Sequence, residues 1–135
     1  METKPPITVL VIDENPAVCA ALARRISGLD GFGVIEATSN PVLAAEIAHE
    51  FSPQVIIADF KRGPRPREEM VRWMRNSSPD SALIVYAAYF VEGEREAFQQ
   101  AGASRCLLKG LSAAELAREL QAAAQDHHRH RNGTS

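Results

Sequence analysis

Short apolar runs alternate with amphipathic stretches along the whole chain. Residues 7–12, ITVLVI, are rich in β-branched side chains and bounded by Pro5-Pro6 and two acids, which predicts a strand. Asn15-Pro16 supplies an N-cap and a proline at the first helical position, and Val18, Leu22 and Ile26 follow at spacing four until Gly28. Residues 34–37 predict a second strand. Asn40-Pro41 repeats the helix-start signal, with Leu43, Ile47 and Phe51 as its apolar stripe. Residues 55–58 are wholly apolar, as expected of a strand buried on both faces.

The second half continues the alternation. The loop FKRGPRPR follows Asp59 and leads to a helix with Met70, Val71 and Met74 inward and Trp73 off that stripe. Residues 83–86 predict the fourth strand. A helix from about Glu92 packs Ala97 and Ala101 and stops at Gly102. Residues 106–108 form the fifth strand. Ser112 and Glu115 make a capping box for a last helix with Leu116 and Leu120 on its inner face. From Gln125 onward no apolar residue occurs, so 125–135 is expected to be a flexible tail, its His127-His128-Arg129-His130 run included.

Five strand–helix units in a row predict an α/β fold: a doubly wound five-stranded parallel sheet with helices on both faces. Right-handed crossovers favour the flavodoxin-like order 2-1-3-4-5, which puts strands one and three side by side at the ligand-binding switch point. Asp13 and Glu14 then leave strand one on the edge where Asp59 leaves strand three and Lys109 leaves strand five. Three acids and a lysine converge on one cleft.

Composition narrows the picture. A chain of 135 residues, 45% hydrophobic and 24% charged, reads as one globular domain. A net charge of −2 gives no electrostatic reason for this domain to bind nucleic acid or an anionic membrane. The longest apolar run, 82–91, is about half of what a spanning helix needs. No signal peptide is evident, and the cytoplasm is the expected location. Cys19 and Cys106 each lie in apolar stretches and read as buried small hydrophobes.

Hard oxygen ligands with room for water suit Mg²⁺. A carboxylate beside such a metal can attack a phosphoryl group, with the metal and an ammonium group neutralising the transferring oxygens. Asp59, ending the central strand, is the candidate nucleophile. Asp13, Glu14 and the backbone carbonyl of Lys61 complete the candidate metal set with Asp59, and Lys109 is the candidate phosphoryl contact. A phosphatase with an Asp nucleophile would want a second acid two residues on, where Lys61 stands. No GxxxxGK[ST] loop or GxGxxG turn supports nucleotide binding.

With VLVIDENP, VIIADF and AGASRCLLKG in this order, residues 8–124 resemble a response-regulator receiver domain, and DENP and LLKG lean toward the receivers of LuxR-type regulators. On that resemblance, residues 7–124 are the receiver domain. It implies a phosphorelay in which a sensor histidine kinase or phosphotransfer protein phosphorylates Asp59 with Mg²⁺. It implies no enzyme beyond slow self-catalysed phosphotransfer and dephosphorylation. The output would be a downstream protein, or a C-terminal output domain if the chain is a fragment, and a homodimer is left open.

The departures from the family pattern fall at the switch. Ala87 stands where the resemblance leads one to expect a threonine or serine hydroxyl, and Cys106 where a tyrosine or phenylalanine is common. KRGPRPR replaces a loop that usually reads methionine-proline and ends in glycine, and Gly110 follows the lysine in place of proline. Weakened or altered switching is therefore expected, with little response around Phe98 and Cys106. The alternative is a pseudo-receiver that works as a protein-interaction module without phosphate. Lys61, Arg62, Arg65 and Arg67 read first as a solvated basic loop; the sharper option is an arginine that neutralises the acids. Tyr89 is expected at the mouth of the site.

Overall fold

The computed structural model describes residues 4–133, with side chains described as far as His128. Five strands, β1 (Ile7–Asp13), β2 (Phe32–Thr38), β3 (Val55–Asp59), β4 (Ala82–Ala87) and β5 (Arg105–Leu108), form one parallel sheet in the order β2-β1-β3-β4-β5. The helices α1 (Pro16–Ser27), α2 (Pro41–Phe51), α3 (Arg67–Ser77), α4 (Glu94–Ala101) and α5 (Ala113–Gly133) are the crossovers and the C-terminal layer. This is the predicted doubly wound architecture.

Side chains of the central strands alternate between two cores, as the two-residue strand period requires. Leu10, Ile12, Ile56, Ala58, Leu83 and Val85 pack with α2, α3 and α4. Val9, Val11, Val55, Ile57, Ile84 and Tyr86 pack with α1 and α5. Both faces of β1, β3 and β4 are thus dry, and polar groups can collect only where those strands end. The register sets Asp13 opposite Asp59 at that end.

The predicted caps form. Asn15 Oδ1 accepts from the Ala17 and Val18 amides, and Asn40 Oδ1 from those of Val42 and Leu43. Ser112 and Glu115 exchange side-chain-to-backbone hydrogen bonds of 2.9 and 3.1 Å.

Three helix faces differ from the periodicity. In α1 the buried stripe is Cys19, Leu22 and Ile26, while Val18 is 37% exposed at the rim of the strand-end cleft. In α2 the buried residues are Ala44, Ala45 and Ala48; Leu43 and Phe51 face outward at 42% and 62% exposure, and only Ile47 is partly buried. Methyl-sized side chains let α2 lie close on the sheet, and close packing outweighs the larger hydrophobic area of the opposite face. In α4 the turn at Gly93, with φ of 82°, delays the start to Glu94, and Phe98 takes the core position expected of Ala97.

The segment expected to be a loose tail from Gln125 instead continues α5 to Gly133. Arg105 ties this extension to the sheet through Asp126, and His127 contacts the Pro79 carbonyl oxygen. No helix among the described residues is long and apolar enough to cross a membrane.

The inward face of α2 is open to a direct check. Ala48→Leu should cost about 1–3 kcal/mol by overpacking. Phe51→Ser should stay within about 0.5 kcal/mol of the parent protein. Urea melts distinguish this from the periodicity-based face, which predicts the reverse order.

Candidate functional site

The C-terminal ends of β1, β3, β4 and β5 line a cleft of about 370 Å³ that includes Asp13, Asp59, Ala87 and Lys109. Its acids are held from below. Asp13 is buried, and its Oδ1 accepts from the Asn15 amide at 2.9 Å. Lys109 is delivered by its backbone: its amide donates to the Ala87 carbonyl oxygen at 2.8 Å. The next turn is fixed by Tyr86, whose hydroxyl accepts from the Gly110 and Leu111 amides at 3.3 Å each. Gly110 adopts φ of 105°, a left-handed conformation that L side chains rarely take.

The ammonium of Lys109 lies between two carboxylates, 2.8 Å from Asp13 Oδ2 and 2.7 Å from Asp59 Oδ2. Burial works against its charge, but the hydrogen bonds to Asp13 and Asp59 outweigh that and hold its pKa above the usual lysine value. The convergence of Asp13, Asp59 and Lys109 expected from the strand order is present.

Glu14 does not join that contact. Its Oε2 accepts from the Lys61 amide at 2.6 Å, tying the β1 end to the loop after β3. Among the described residues, no group of three or more His, Cys, Asp and Glu side chains gathers as a cation cage. The expected trio of Asp13, Glu14 and Asp59 is divided because Lys109 bridges two of its members and the loop engages the third.

Lys61, Arg62 and Arg65 of the basic loop are exposed, as first expected, but Arg67 is not. Arg67, the first residue of α3, is only 7% exposed, and its guanidinium spans the cleft wall. One terminal nitrogen donates to Asp59 Oδ1 at 3.2 Å; the other approaches Glu94 Oε1 and Oε2 at 3.4 and 3.3 Å. Its plane stands over the Phe98 ring, 5.2 Å from the centroid. Arg62 pairs with Glu94 by two hydrogen bonds of 2.9 and 2.8 Å, donates from Nε to the Tyr89 hydroxyl, and stacks on that ring. Tyr89 is at the mouth of the cleft, as expected. The sharper option for the loop thus holds for Arg67, because folding brings the half-buried Asp59 within its reach.

Glu94 was not singled out by the sequence. It is an acid in the first turn of a short helix, which helix electrostatics alone would explain. Burial pushes its carboxyl up, but the Arg62 hydrogen bonds, the Val91 amide and the Arg67 charge together leave its pKa below the ordinary 4.5. Ala87 is buried at the cleft floor and offers no hydrogen-bond donor. Cys106 is a buried free thiol, pushed up in pKa by that burial, with its Sγ 3.8 Å from the Arg95 carbonyl oxygen.

A carboxyl depressed on folding contributes stability above its unfolded pKa, and the contribution disappears as pH falls through the folded value. The stability difference between the parent protein and Glu94→Gln should therefore be largest near neutral pH and shrink below pH 4.5. Urea melts across that range check it; a difference independent of pH would contradict the ion-pair account.

The comparisons agree with this geometry. A model of the response regulator receiver domain family matches residues 9–121. The nitrate/nitrite response regulator protein NarL of Escherichia coli strain K12 is 25% identical over 124 residues, covering 92% of this chain and 57% of that protein. The transcriptional regulatory protein LiaR of Bacillus subtilis strain 168 is 29% identical over 119 residues, covering 88% and 56%. The chain thus spans little more than half the length of these curated relatives. The signal receiver domain of the putative response regulator NarL from Mycobacterium tuberculosis superposes with a TM-score of 0.79 at 19% identity, covering 90% of this chain and 98% of that one. With the family matched over most of its length and the acid–lysine cleft at the ends of β1, β3 and β5, the chain belongs to the response regulator receiver domain family, the signalling modules of two-component systems.

Proposed function

We propose that the chain accepts a phosphoryl group on Asp59 from a histidine kinase or phosphotransfer protein in the cytoplasm. One observation carries this reading: the Lys109 ammonium bridges Asp13 and Asp59 at the carboxyl edge of the sheet. A carboxylate oxygen of Asp59 attacks phosphorus, the bond from phosphorus to the donor breaks, and the leaving group departs with that electron pair. Lys109, charged throughout the physiological range, steadies the transferred oxygens.

These residues offer a divalent cation the hard oxygen ligands it favours, although Lys109 and the Lys61 amide engage them in this structure. Asp13 and Asp59 are opposed in register, and Glu14 is hydrogen-bonded to Lys61 at the same rim. Asp13, Glu14, Asp59 and the Lys61 carbonyl would hold Mg²⁺, which would neutralise charge on the transferring oxygens. The output, whether a downstream protein or an attached domain, would read the surface around the cleft. The switch itself is altered, since Ala87 donates nothing and Cys106 is too small to act as a rotating plug.

A pseudo-receiver that works without phosphate is the competing reading, supported by the two cations, Lys109 and Arg67, already paired with Asp59. Intact mass after incubation with Mg²⁺ and a small phosphodonor separates the two. One added phosphoryl group should appear, and Asp59→Asn should abolish it. Asp13→Asn should weaken Mg²⁺ binding, because an anionic oxygen ligand is lost. Unchanged mass would leave the interaction module as the function, and a gain that survives Asp59→Asn would reject Asp59 as the acceptor.

A further inference from the structure

Around the cleft, three carboxylates, Asp13, Asp59 and Glu94, face three cations, Lys109, Arg67 and Arg62. The two arginines are not held equally. Arg62 grips Glu94 at 2.8 and 2.9 Å, the range of strong charge-assisted hydrogen bonds. Arg67 reaches the same carboxylate only at 3.3 and 3.4 Å, and Asp59 at 3.2 Å. Its Nε is buried without a hydrogen-bond partner among the described residues. A guanidinium that is buried, loosely paired and one donor short has hydrogen-bonding capacity to spare.

Phosphorylation would change the demand on it. An acyl phosphate on Asp59 replaces a singly charged carboxylate with a group that carries more negative charge and three strong acceptor oxygens. Guanidinium is the side chain best matched to such a group, since its planar donors can bind two oxygens at once. Ala87 at the cleft floor leaves that side of the phosphoryl group without a hydroxyl donor.

We infer that Arg67 is a phosphoryl-binding residue of this site and that, by exchanging Glu94 for the phosphoryl group, it couples Asp59 to α4. The inference rests on Asp59 being the phosphoacceptor. In the unmodified protein Glu94 competes for Arg67, and Arg67 in turn stands over Phe98, so the first two turns of α4 are tied to the cleft. Once Arg67 turns to the phosphoryl group, Glu94 keeps Arg62 and the Val91 amide but loses its link to Asp59. Helix α4 has eight residues and no side-chain N-cap, so its N-terminal turn is held by side chains: Arg62 and Arg67 on Glu94, and Arg95 on the Cys106 carbonyl oxygen at 2.9 Å. The response should therefore reach Glu94 and Phe98 through Arg67 and not through rotation of the Cys106 side chain, a route different from the small response expected around Phe98 on the sequence alone.

Backbone-amide NMR titrations with Mg²⁺ and beryllofluoride, a phosphoryl mimic, test this on the parent protein, Arg67→Gln, Glu94→Gln and Arg62→Gln. In the parent, amides at Asp13, Asp59 and Lys109 should shift together with those at Glu94 and Phe98. Arg67→Gln should weaken mimic binding by about tenfold, the loss expected for one charged hydrogen bond, and silence the α4 amides. Glu94→Gln should bind the mimic several-fold more tightly by releasing Arg67; a merely structural Arg67 would not produce that gain. Arg62→Gln should leave the Asp59-to-Phe98 response in place. If Arg67→Gln binds the mimic normally, or Glu94→Gln binds it no more tightly, the inference is overturned while Asp59 remains the acceptor. If the parent takes up no mimic, the phosphoacceptor reading falls and this one with it.

Discussion

The Lys109 ammonium between the Asp13 and Asp59 carboxylates is the contact on which the rest of the cleft depends. Two like charges about 4 Å apart repel by roughly 4 kcal/mol at an effective dielectric of about 20. A parallel sheet buried on both faces nonetheless forces those acids together, because its polar side chains can emerge only at the strand ends. One ammonium converts that repulsion into two attractions. It also joins β1, β3 and the end of β5 at a single point, supported by the Lys109 amide on Ala87 and the turn held by Tyr86.

Around this centre the charges are layered. Arg67 extends the cluster from Asp59 to Glu94, and Arg62 closes it at the surface on Tyr89. The layers differ in exposure, and so in strength. Arg62 is open to solvent, where screening weakens its pair with Glu94. Arg67 is enclosed beside the Phe98 ring with acids on two sides, where its ion pairs are less screened by solvent. A buried cation shared between two acids has two alternative partners, which is the physical requirement for a two-state element.

Family membership and chemistry are separate matters in this chain. The sheet, the acid pair and the lysine follow the receiver pattern, while Ala87 and Cys106 stand where the resemblance leads one to expect a hydroxyl and an aromatic ring. Ala87 and Cys106 are both buried and well accommodated, so they are settled parts of the core and not defects in it. Arg62, from the loop after β3, and Arg67, from the start of α3, line the same cleft as Asp59 and Ala87.

The strands, the helix caps and the acid–lysine set could be located in the amino-acid order because each carries a local signature: an apolar run, an Asn-Pro start, a charge at a strand end. The sheet order followed from chain length and the handedness of crossovers. Which face of α2 turns inward could not be located that way, since the alanines Ala44, Ala45 and Ala48 won over larger side chains only once the helix had to lie close on the sheet. The pairing of Arg67 with Glu94 is beyond local pattern for the same kind of reason. The two residues are 27 positions apart, on different helices, and each taken alone is an ordinary charged residue at a helix start. Only packing of α3 against α4 above the β3 edge brings them together, and with that burial comes the electrostatic strength that exposed charges lack.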